Sequence, residues 1–175
     1  MKGFDLAVKA VLQCKSDVEL IVAGVSFEDR RKMGGGHLNK YEQAIKTYIA
    51  KNDHNNCIRL VGRQMNMSNC YAAADAVVFP MRSPHQARPV FEAGWYSLPV
   101  IITDFENIHE SVQEGKNGLL FQSNDLLELK QQIDYLASNI SESQRMGRCN
   151  REHTMTYHTT EMNNELIRKL ILTLQ

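Results

Sequence analysis

A chain of 175 residues has the size of one ordinary domain and can bury a core of its own. Its 20 lysines and arginines balance 20 aspartates and glutamates, so no basic excess predicts binding to nucleic acid or to a lipid surface. Four cysteines without CxxC spacing predict free thiols rather than disulfides or a zinc site. No apolar run approaches the roughly 18 residues that span a bilayer, and no stretch predicts a signal peptide. These features predict a cytoplasmic protein.

The first half of the chain alternates helical and strand patterns, as the spacing of its apolar residues indicates. Two segments rich in β-branched and apolar residues, 18–25 and 57–62, predict buried strands. Helices are predicted near the amino terminus, over residues 40–51 and over residues 67–74. Three glycines at 34–36 predict a flexible loop; because no Lys-Ser/Thr pair follows them, they do not form a nucleotide-binding P-loop.

The second half continues the alternation. Strands are predicted over residues 76–79, 100–103 and 119–121, the last after an Asn-Gly turn. The helices are predicted from Asp125 to Ala137, from a cap near Ser141 onwards, and over residues 161–174, each with an apolar stripe. Strands that alternate with helices predict a parallel sheet covered on both faces, with ligands bound outside the carboxyl ends of the strands.

One strand-loop-helix unit carries the residues best suited to a ligand. After the strand at 76–79 and a polar loop, a short helix begins near Arg88, and its free N–H groups at Val90 and Phe91 can serve an anion such as a diphosphate. Arg88 suits a phosphate, and Glu92, about one turn further, suits sugar hydroxyls because a carboxylate only accepts hydrogen bonds. The pattern predicts a ligand such as a nucleotide-sugar. The alternative is a helix-end ion pair on the surface, with Tyr71, Trp95 and Tyr96 as core residues.

Several stretches resemble the carboxyl-terminal domain of the GT-B glycosyltransferases, in the retaining family 4 or "group 1" branch. The resemblance is carried by Phe79-Pro80, Glu92-Ala93, Pro99-Val100-Ile101 and Asn117-Gly118-Leu119-Leu120, and it covers nearly the whole chain. It implies an α/β fold with a Rossmann-like parallel sheet flanked by helices, the carboxyl-terminal half of a GT-B fold whose first strand is missing. It also implies a single nucleotide-sugar-binding domain over residues 1–175, with the amino-terminal acceptor domain not present in this chain.

The resemblance implies roles for individual residues. Lys2 matches the family lysine that binds the donor diphosphate. Glu92 matches the glutamate that receives hydrogen bonds from the hydroxyls of the donor ribose. Gly62 and Arg63 fall in the loop that lies near the nucleotide base in the family, although a plain surface charge is an equal alternative for Arg63.

One loop departs from the family pattern. Where the family has a second glutamate that grips the donor sugar, this chain has Pro84, and the glycines that follow it in the family are replaced. His85 or Gln86 is therefore a candidate for binding the sugar hydroxyls, with ordinary surface-loop polarity as the alternative. Arg88 replaces an apolar family residue and is a candidate to offset the cation of the missing strand.

The resemblance implies the donor-binding domain of a retaining glycosyltransferase of the hexosyltransferase type. Such an enzyme moves a sugar from a nucleoside-diphosphate sugar to an acceptor hydroxyl, here in polysaccharide or glycolipid assembly. Catalytic residues are expected mainly in the missing domain, so this chain alone is expected to be inactive. No metal and no cofactor are expected.

The implied partners are a nucleoside-diphosphate sugar, a glycan or lipid-linked acceptor, and the amino-terminal GT-B domain in the same or a partner chain. That domain would also bring the protein to the inner face of the membrane as a peripheral component. Two alternatives stay open. One is a non-catalytic nucleotide-sugar-binding module or subunit, and the other is a GT-B nucleotide-sugar epimerase, which changes the sugar of its donor without an acceptor.

Overall fold

The computed structural model describes residues 3–25, 27, 38–84, 86 and 88–173. Within them the strands are β1 (Leu20–Ala23), β2 (Ile58–Gly62), β3 (Val77–Phe79), β4 (Val100–Thr103) and β5 (Gly118–Phe121). The helices are α1 (Phe4–Val11), α2 (Lys40–Asn52), α3 (Ser68–Ala72), α4 (Arg88–Trp95), α5 (Leu126–Ser138), α6 (Ile140–Tyr157) and α7 (Thr160–Thr173), with a 3₁₀ turn at Glu106–Ile108. The predicted alternation of helices and strands is confirmed. The three-glycine loop at 34–36 lies outside the described residues.

The strands pair in two parallel ladders, which confirms the predicted α/β class. One ladder joins β1 to β2, and the other has the order β3-β4-β5. The sequence predicted one sheet, whereas in the described ranges no hydrogen-bonded rung joins β1 to β3. Both ladders nevertheless contribute side chains to one core, in which Leu20 and Val78 pack against the same buried cluster.

The central strand β4 divides the core into two layers. Ile101 points into the layer formed with α1, α5 and β5, and its neighbours Val100 and Ile102 point into the layer beneath α4. All four β4 residues are buried, as expected for a parallel strand covered on both faces. The apolar run between Pro99 and Asp104 therefore encodes a strand buried on both faces, as the sequence predicted.

Helix α4 is held from behind by α6. Asn150 of α6 is fully buried, and its Nδ2 donates to Val90 O at 3.1 Å and to Leu98 O at 2.9 Å. Its Oδ1 accepts from Asn117 Nδ2 at 3.4 Å. The carbonyl of Val90 lies on α4 and that of Leu98 lies just before β4. The Asn150 side chain therefore fixes both ends of the segment that runs from α4 to β4.

Glycine makes the close approach of these helices feasible. A Cβ on Gly94 of α4 would overlap the hydroxyl of Thr154, and a Cβ on Gly147 of α6 would overlap the backbone carbonyl of Ser97. Both contacts are too short for any side chain, so the two backbones sit closer than other residues allow.

The structure adjusts several predicted boundaries. Helix α4 begins at Arg88, close to its predicted start, whereas α6 begins at Ile140 without a side-chain cap instead of after the predicted cap near Ser141. The predicted cap of α5 is confirmed, since Asp125 Oδ1 accepts from Glu128 N at 2.9 Å. Strand β1 is shorter than predicted because the backbone turns at Gly24, whose φ is +86°.

The last helix exposes its apolar stripe. The sequence pattern predicts a buried stripe that is partly exposed where the amino-terminal domain is missing, and no described residue of α7 is buried. Its exposed apolar side chains include Leu166, Ile167, Leu170 and Ile171. The stripe exists, as the pattern indicated, but within the described chain nothing covers it. None of the described helices combines the length and apolarity needed to cross a membrane.

Candidate functional site

The carboxyl end of β3 lies beside the start of α1, and the loop that follows β3 leads to α4. The N–H of Gly3, just before α1, donates to Pro80 O at 2.6 Å. The loop that follows β3 is fixed to β4, because Met81 N donates to the buried hydroxyl of Thr103 at 2.7 Å. The first N–H groups of a helix have no partner within it and carry partial positive charge. This edge of the sheet is therefore suited to an anion.

An ion pair closes the first turn of α4. Arg88 Nε lies 3.1 Å from Glu92 Oε1, one helical turn along. The arginine side chain is 83% exposed and the glutamate 38% exposed. Pairs between solvent-exposed groups contribute only about 0–1 kcal/mol, so a ligand can displace this one at little cost. The ion pair foreseen as an alternative is present, and the predicted binding roles of both residues stay predictions.

The second oxygen of Glu92 has a buried partner that the sequence did not reveal. Tyr71 of α3 donates from its hydroxyl to Glu92 Oε2 at 2.6 Å, and its ring stacks on Tyr96 with 5.4 Å between centroids. Burial and this hydrogen bond raise the pKa of Tyr71, so the phenol stays protonated. Tyr71 was correctly expected in the core. A buried tyrosine usually needs a hydrogen-bond partner for its O–H, but the sequence alone does not identify that partner.

Glu92 lies on the wall of a surface cleft of about 550 Å3 between α3 and α4. The cleft is lined by Met67, Ser68, Tyr71, Glu92, Trp95, Tyr96 and Arg151. Trp95 and Tyr96 were predicted to be core residues, and this is wrong, since they are 47% and 37% exposed. The reason is the helical period: Val90, Ala93 and Gly94 form the buried face of α4, and Trp95 falls outside it.

The side chains of Val90 and Phe91 do not face the predicted anion site. Val90 is fully buried in the core, and the Phe91 ring stacks on His158 with 3.6 Å between centroids. Only their backbone N–H groups, in the first turn of α4, suit the role that the sequence predicted. Burial lowers the pKa of His158, as expected for an imidazole packed on a phenyl ring.

The remaining predicted residues that the structure describes lie at the end of β2 and in the loops that follow β2 and β3. Gly62 ends β2 in a left-handed conformation with φ +66°, and its N–H donates to Val25 O at 3.2 Å. Arg63 follows it and is exposed, as is Gln86 in the loop before α4. Lys2 and His85 lie outside the described residues. Their predicted roles all stay predictions.

A second arginine at this strand end was missed. Arg82 Nη2 lies 2.6 Å from Asp5 Oδ2, while Tyr41 donates to Asp5 Oδ1 at 2.8 Å and Arg82 Nε donates to Asn124 Oδ1 at 3.1 Å. Burial acts to raise the pKa of Asp5, but the hydrogen bonds from Tyr41 and Arg82 outweigh it and lower the pKa overall. The network ties the first turn of α1 to the loop after β3. No spacing pattern in the sequence indicates it, because its members are far apart in the chain.

Metal ions in proteins are usually held by three or more His, Cys, Asp or Glu side chains that lie close together. In the ranges that the structure covers, no three such residues cluster closely enough to hold a metal ion.

Solved structures share this architecture. Anabaena HepE in complex with UDP superposes with a TM-score of 0.85 at 19% identity, over 98% of this chain and 45% of that one. The carboxyl-terminal domain of a glycosyl transferase group 1 family protein, LpcC from Francisella tularensis, gives a TM-score of 0.75 at 18% identity, over 91% of this chain and 80% of that domain. At these identities the likeness concerns the fold alone, and it confirms the GT-B architecture that the sequence predicted.

The sequence also has named relatives. The lipopolysaccharide core biosynthesis mannosyltransferase LpsB of Rhizobium meliloti (strain 1021) is 31% identical over 151 residues, which is 83% of this chain and 40% of LpsB. This chain likewise spans 40% of the uncharacterized glycosyltransferase MJ1178 of Methanocaldococcus jannaschii, at 27% identity. The family described as "Glycosyl transferases group 1" matches residues 1–153. The chain therefore belongs to the glycosyl transferases group 1 family.

Proposed function

We propose that this chain is the donor-binding domain of a retaining hexosyltransferase that takes its sugar from a nucleoside diphosphate. The observation that carries the proposal is the position of Glu92, a partly exposed carboxylate one turn inside a helix that begins at the ligand-binding edge of a parallel sheet. Two relatives support the donor class: HepE was crystallised with UDP-glucose, and LpsB is named a mannosyltransferase.

The chemistry required of this domain is electrostatic. The diphosphate would rest on the first N–H groups of α4, at Val90 and Phe91, with Lys2 and Arg88 as cations. As the bond to the sugar breaks, negative charge grows on the leaving diphosphate, and fixed donors at that point lower the barrier. Glu92 would accept hydrogen bonds from the ribose hydroxyls, which orients the donor without touching the reacting carbon. His85 or Gln86 would form hydrogen bonds with the sugar hydroxyls, and the nucleotide base would lie near Gly62 and Arg63.

The first experiment tests donor binding in the full-length protein. UDP-, GDP- and ADP-sugars are titrated by calorimetry against the wild type and Glu92→Gln. Loss of the carboxylate removes a charge-assisted hydrogen bond, so we expect the preferred donor to bind about tenfold or more weakly. Equal affinity of the variant and the wild type for that donor would contradict the role of Glu92.

The chain offers a matched control. Glu142 of α6 is 41% exposed and also pairs with a nearby arginine, Arg145, at 2.8 Å. Glu142→Gln removes the same charge and an equivalent surface ion pair, so it should leave donor affinity unchanged.

A second experiment separates the alternative functions. If incubation with donor alone changes the sugar of the donor, the protein is an epimerase. If the protein binds the donor but transfers no sugar when acceptors are present, it is a non-catalytic module.

We further infer that the parallel sheet is completed by a strand that leads into α1, and that an acceptor domain precedes it in the whole protein. The chain enters α1 beside β3, since Gly3 N donates to Pro80 O. β1 and β3 belong to separate ladders over one shared core. A strand between them, followed by α1 and then β1, makes the right-handed βαβ unit that parallel sheets require. The coverage of 40% of LpsB leaves room for such a strand and a further domain.

This inference predicts slower hydrogen exchange in a longer chain. A version that contains the full reading frame should protect the amides of β1 and β3 more strongly than residues 1–175 alone, because a paired strand edge opens less often. Exchange measured by mass spectrometry checks this, with β5 as the internal reference. Equal protection of β1 and β3 in both versions would rule out the inserted strand.

A further inference from the structure

We propose that Tyr71 is a positioning residue, which holds the Glu92 carboxylate so that one oxygen stays available to the ligand and the other does not. This rests on the proposed function, because it assumes that Glu92 receives hydroxyl groups of the donor ribose. The proposal concerns how the carboxylate is aimed, and it follows from the unequal partners of its two oxygens.

The partner of Oε2 is built into the core. Tyr71 is buried, its ring stacks on Tyr96, and its hydroxyl lies 2.6 Å from Glu92 Oε2. A short hydrogen bond from a fixed phenol to a carboxylate is among the stronger neutral-to-charged contacts in proteins. Burial and this hydrogen bond raise the pKa of the phenol, so its O–H remains a donor to the carboxylate. Oε2 is therefore held in place.

The partner of Oε1 is exchangeable. Arg88 reaches it from the surface at 3.1 Å with a side chain that is almost wholly in solvent. Water and ions screen such a pair, and its net contribution is small. A ribose diol can therefore take the place of the guanidinium at Oε1, which leaves Arg88 free to move toward the phosphates at the same helix end. By binding Oε2, Tyr71 leaves Oε1 as the oxygen that can accept a hydrogen bond from the ligand. Arg88 contacts Oε1 when no ligand is bound.

Loss of the Tyr71 hydroxyl has a defined consequence. In Tyr71→Phe the ring, its stack on Tyr96 and the buried volume are kept, but Oε2 loses its only described partner. The carboxylate can then rotate and use both oxygens on Arg88 in the bidentate manner that arginine favours. Ribose binding would have to break that stronger pair, so donor affinity falls.

The test compares ligands that differ only in the hydroxyls at issue. UDP and GDP, each with its 2′,3′-dideoxy analogue, are titrated against full-length wild type, Tyr71→Phe, Glu92→Gln and Tyr96→Phe. We expect Tyr71→Phe to lower the preference for the hydroxylated nucleotide over its dideoxy analogue by about fivefold. Tyr96→Phe keeps the ring stack and does not touch Glu92, so it should keep the wild-type preference. The preference is a ratio within one variant, so a partly unfolded sample does not change it.

Each outcome has a separate meaning. In the Glu92→Gln background, adding Tyr71→Phe should cause no further loss, because the two residues act through one contact. If Glu92→Gln alters the preference and Tyr71→Phe does not, Tyr71 is only structural and this inference is overturned. If neither variant alters the preference and the wild type binds both forms of the nucleotide equally, the role proposed for Glu92 itself has failed.

Discussion

Replacing Gly147 by alanine is expected to lower the free energy of unfolding by about 3 kcal/mol or more. The added Cβ would overlap the carbonyl oxygen of Ser97 and also meet its carbonyl carbon at 2.8 Å and Pro99 at 3.3 Å. These neighbours cannot yield easily, because Ser97 already has a φ of +57° and the ring of Pro99 restricts the backbone just before β4. Helix α6 would therefore have to move away from the connection between α4 and β4.

Urea denaturation followed by circular dichroism measures this change. Alanine is favoured over glycine inside a helix by about 1 kcal/mol, so a net loss can only come from the steric overlap. Arg148→Ala provides the control in the same turn of α6, because Arg148 is exposed and its removal should change stability by less than about 0.5 kcal/mol. A Gly147→Ala variant as stable as the control would mean that the two helices are not in close contact.

Replacing Asn150 by aspartate is expected to destabilise the fold by about 4 kcal/mol at neutral pH. The two side chains have the same shape, but the amide that donates to Val90 O and Leu98 O becomes a carboxylate oxygen that repels both. The single described donor nearby, Asn117 Nδ2, lies at 3.4 Å and cannot compensate for a buried charge. The variant therefore loses two hydrogen bonds and places a charge at a fully buried position without a strong donor among the described residues.

The same substitution should make stability depend on pH. Burial beside carbonyl oxygens raises the pKa of the introduced carboxyl in the folded state above the value of about 3.9 that it has in the unfolded chain. The folded state then binds more protons than the unfolded state, so stability falls as the pH rises above about 4 and recovers as it falls. Urea denaturation at pH 4 and pH 7, relative to wild type, measures this. Exposed Asn164→Asp on α7 is the control; an equal pH dependence in both variants would contradict the buried network.

The features encoded locally were predictable from the sequence. β4 is a run of three apolar, β-branched residues followed by Thr103, between Pro99 and Asp104, and α4 begins at an Arg-Pro pair after a polar loop. Short apolar runs of this kind indicate a buried strand directly, because the chain has few other ways to bury successive apolar residues. The position of Glu92 on the first turns of α4 follows from the same local pattern.

The contacts that aim the site were not predictable in this way. Tyr71 meets Glu92, Asn150 meets Val90, and Arg82 meets Asp5 across long stretches of chain, and each pairing depends on how whole elements pack. Apolar spacing says which face of a helix is apolar but not what covers it. For that reason the apolar stripe of α7 was predictable, whereas the sequence left open whether another domain covers it. The division into two ladders likewise depends on which strands meet in space.

The hydrogen bond from Gly3 to Pro80, reinforced by the contact of Arg82 with Asp5, gives the fold a mechanical property. The entry to α1 and the loop that leads to α4 are fastened to each other directly, through the buried backbone at Gly3 and Pro80 and the partly buried ion pair of Arg82 with Asp5. A displacement of α1 is therefore expected to shift the loop that leads to α4, so these two segments, which are far apart in the sequence, should move as one unit.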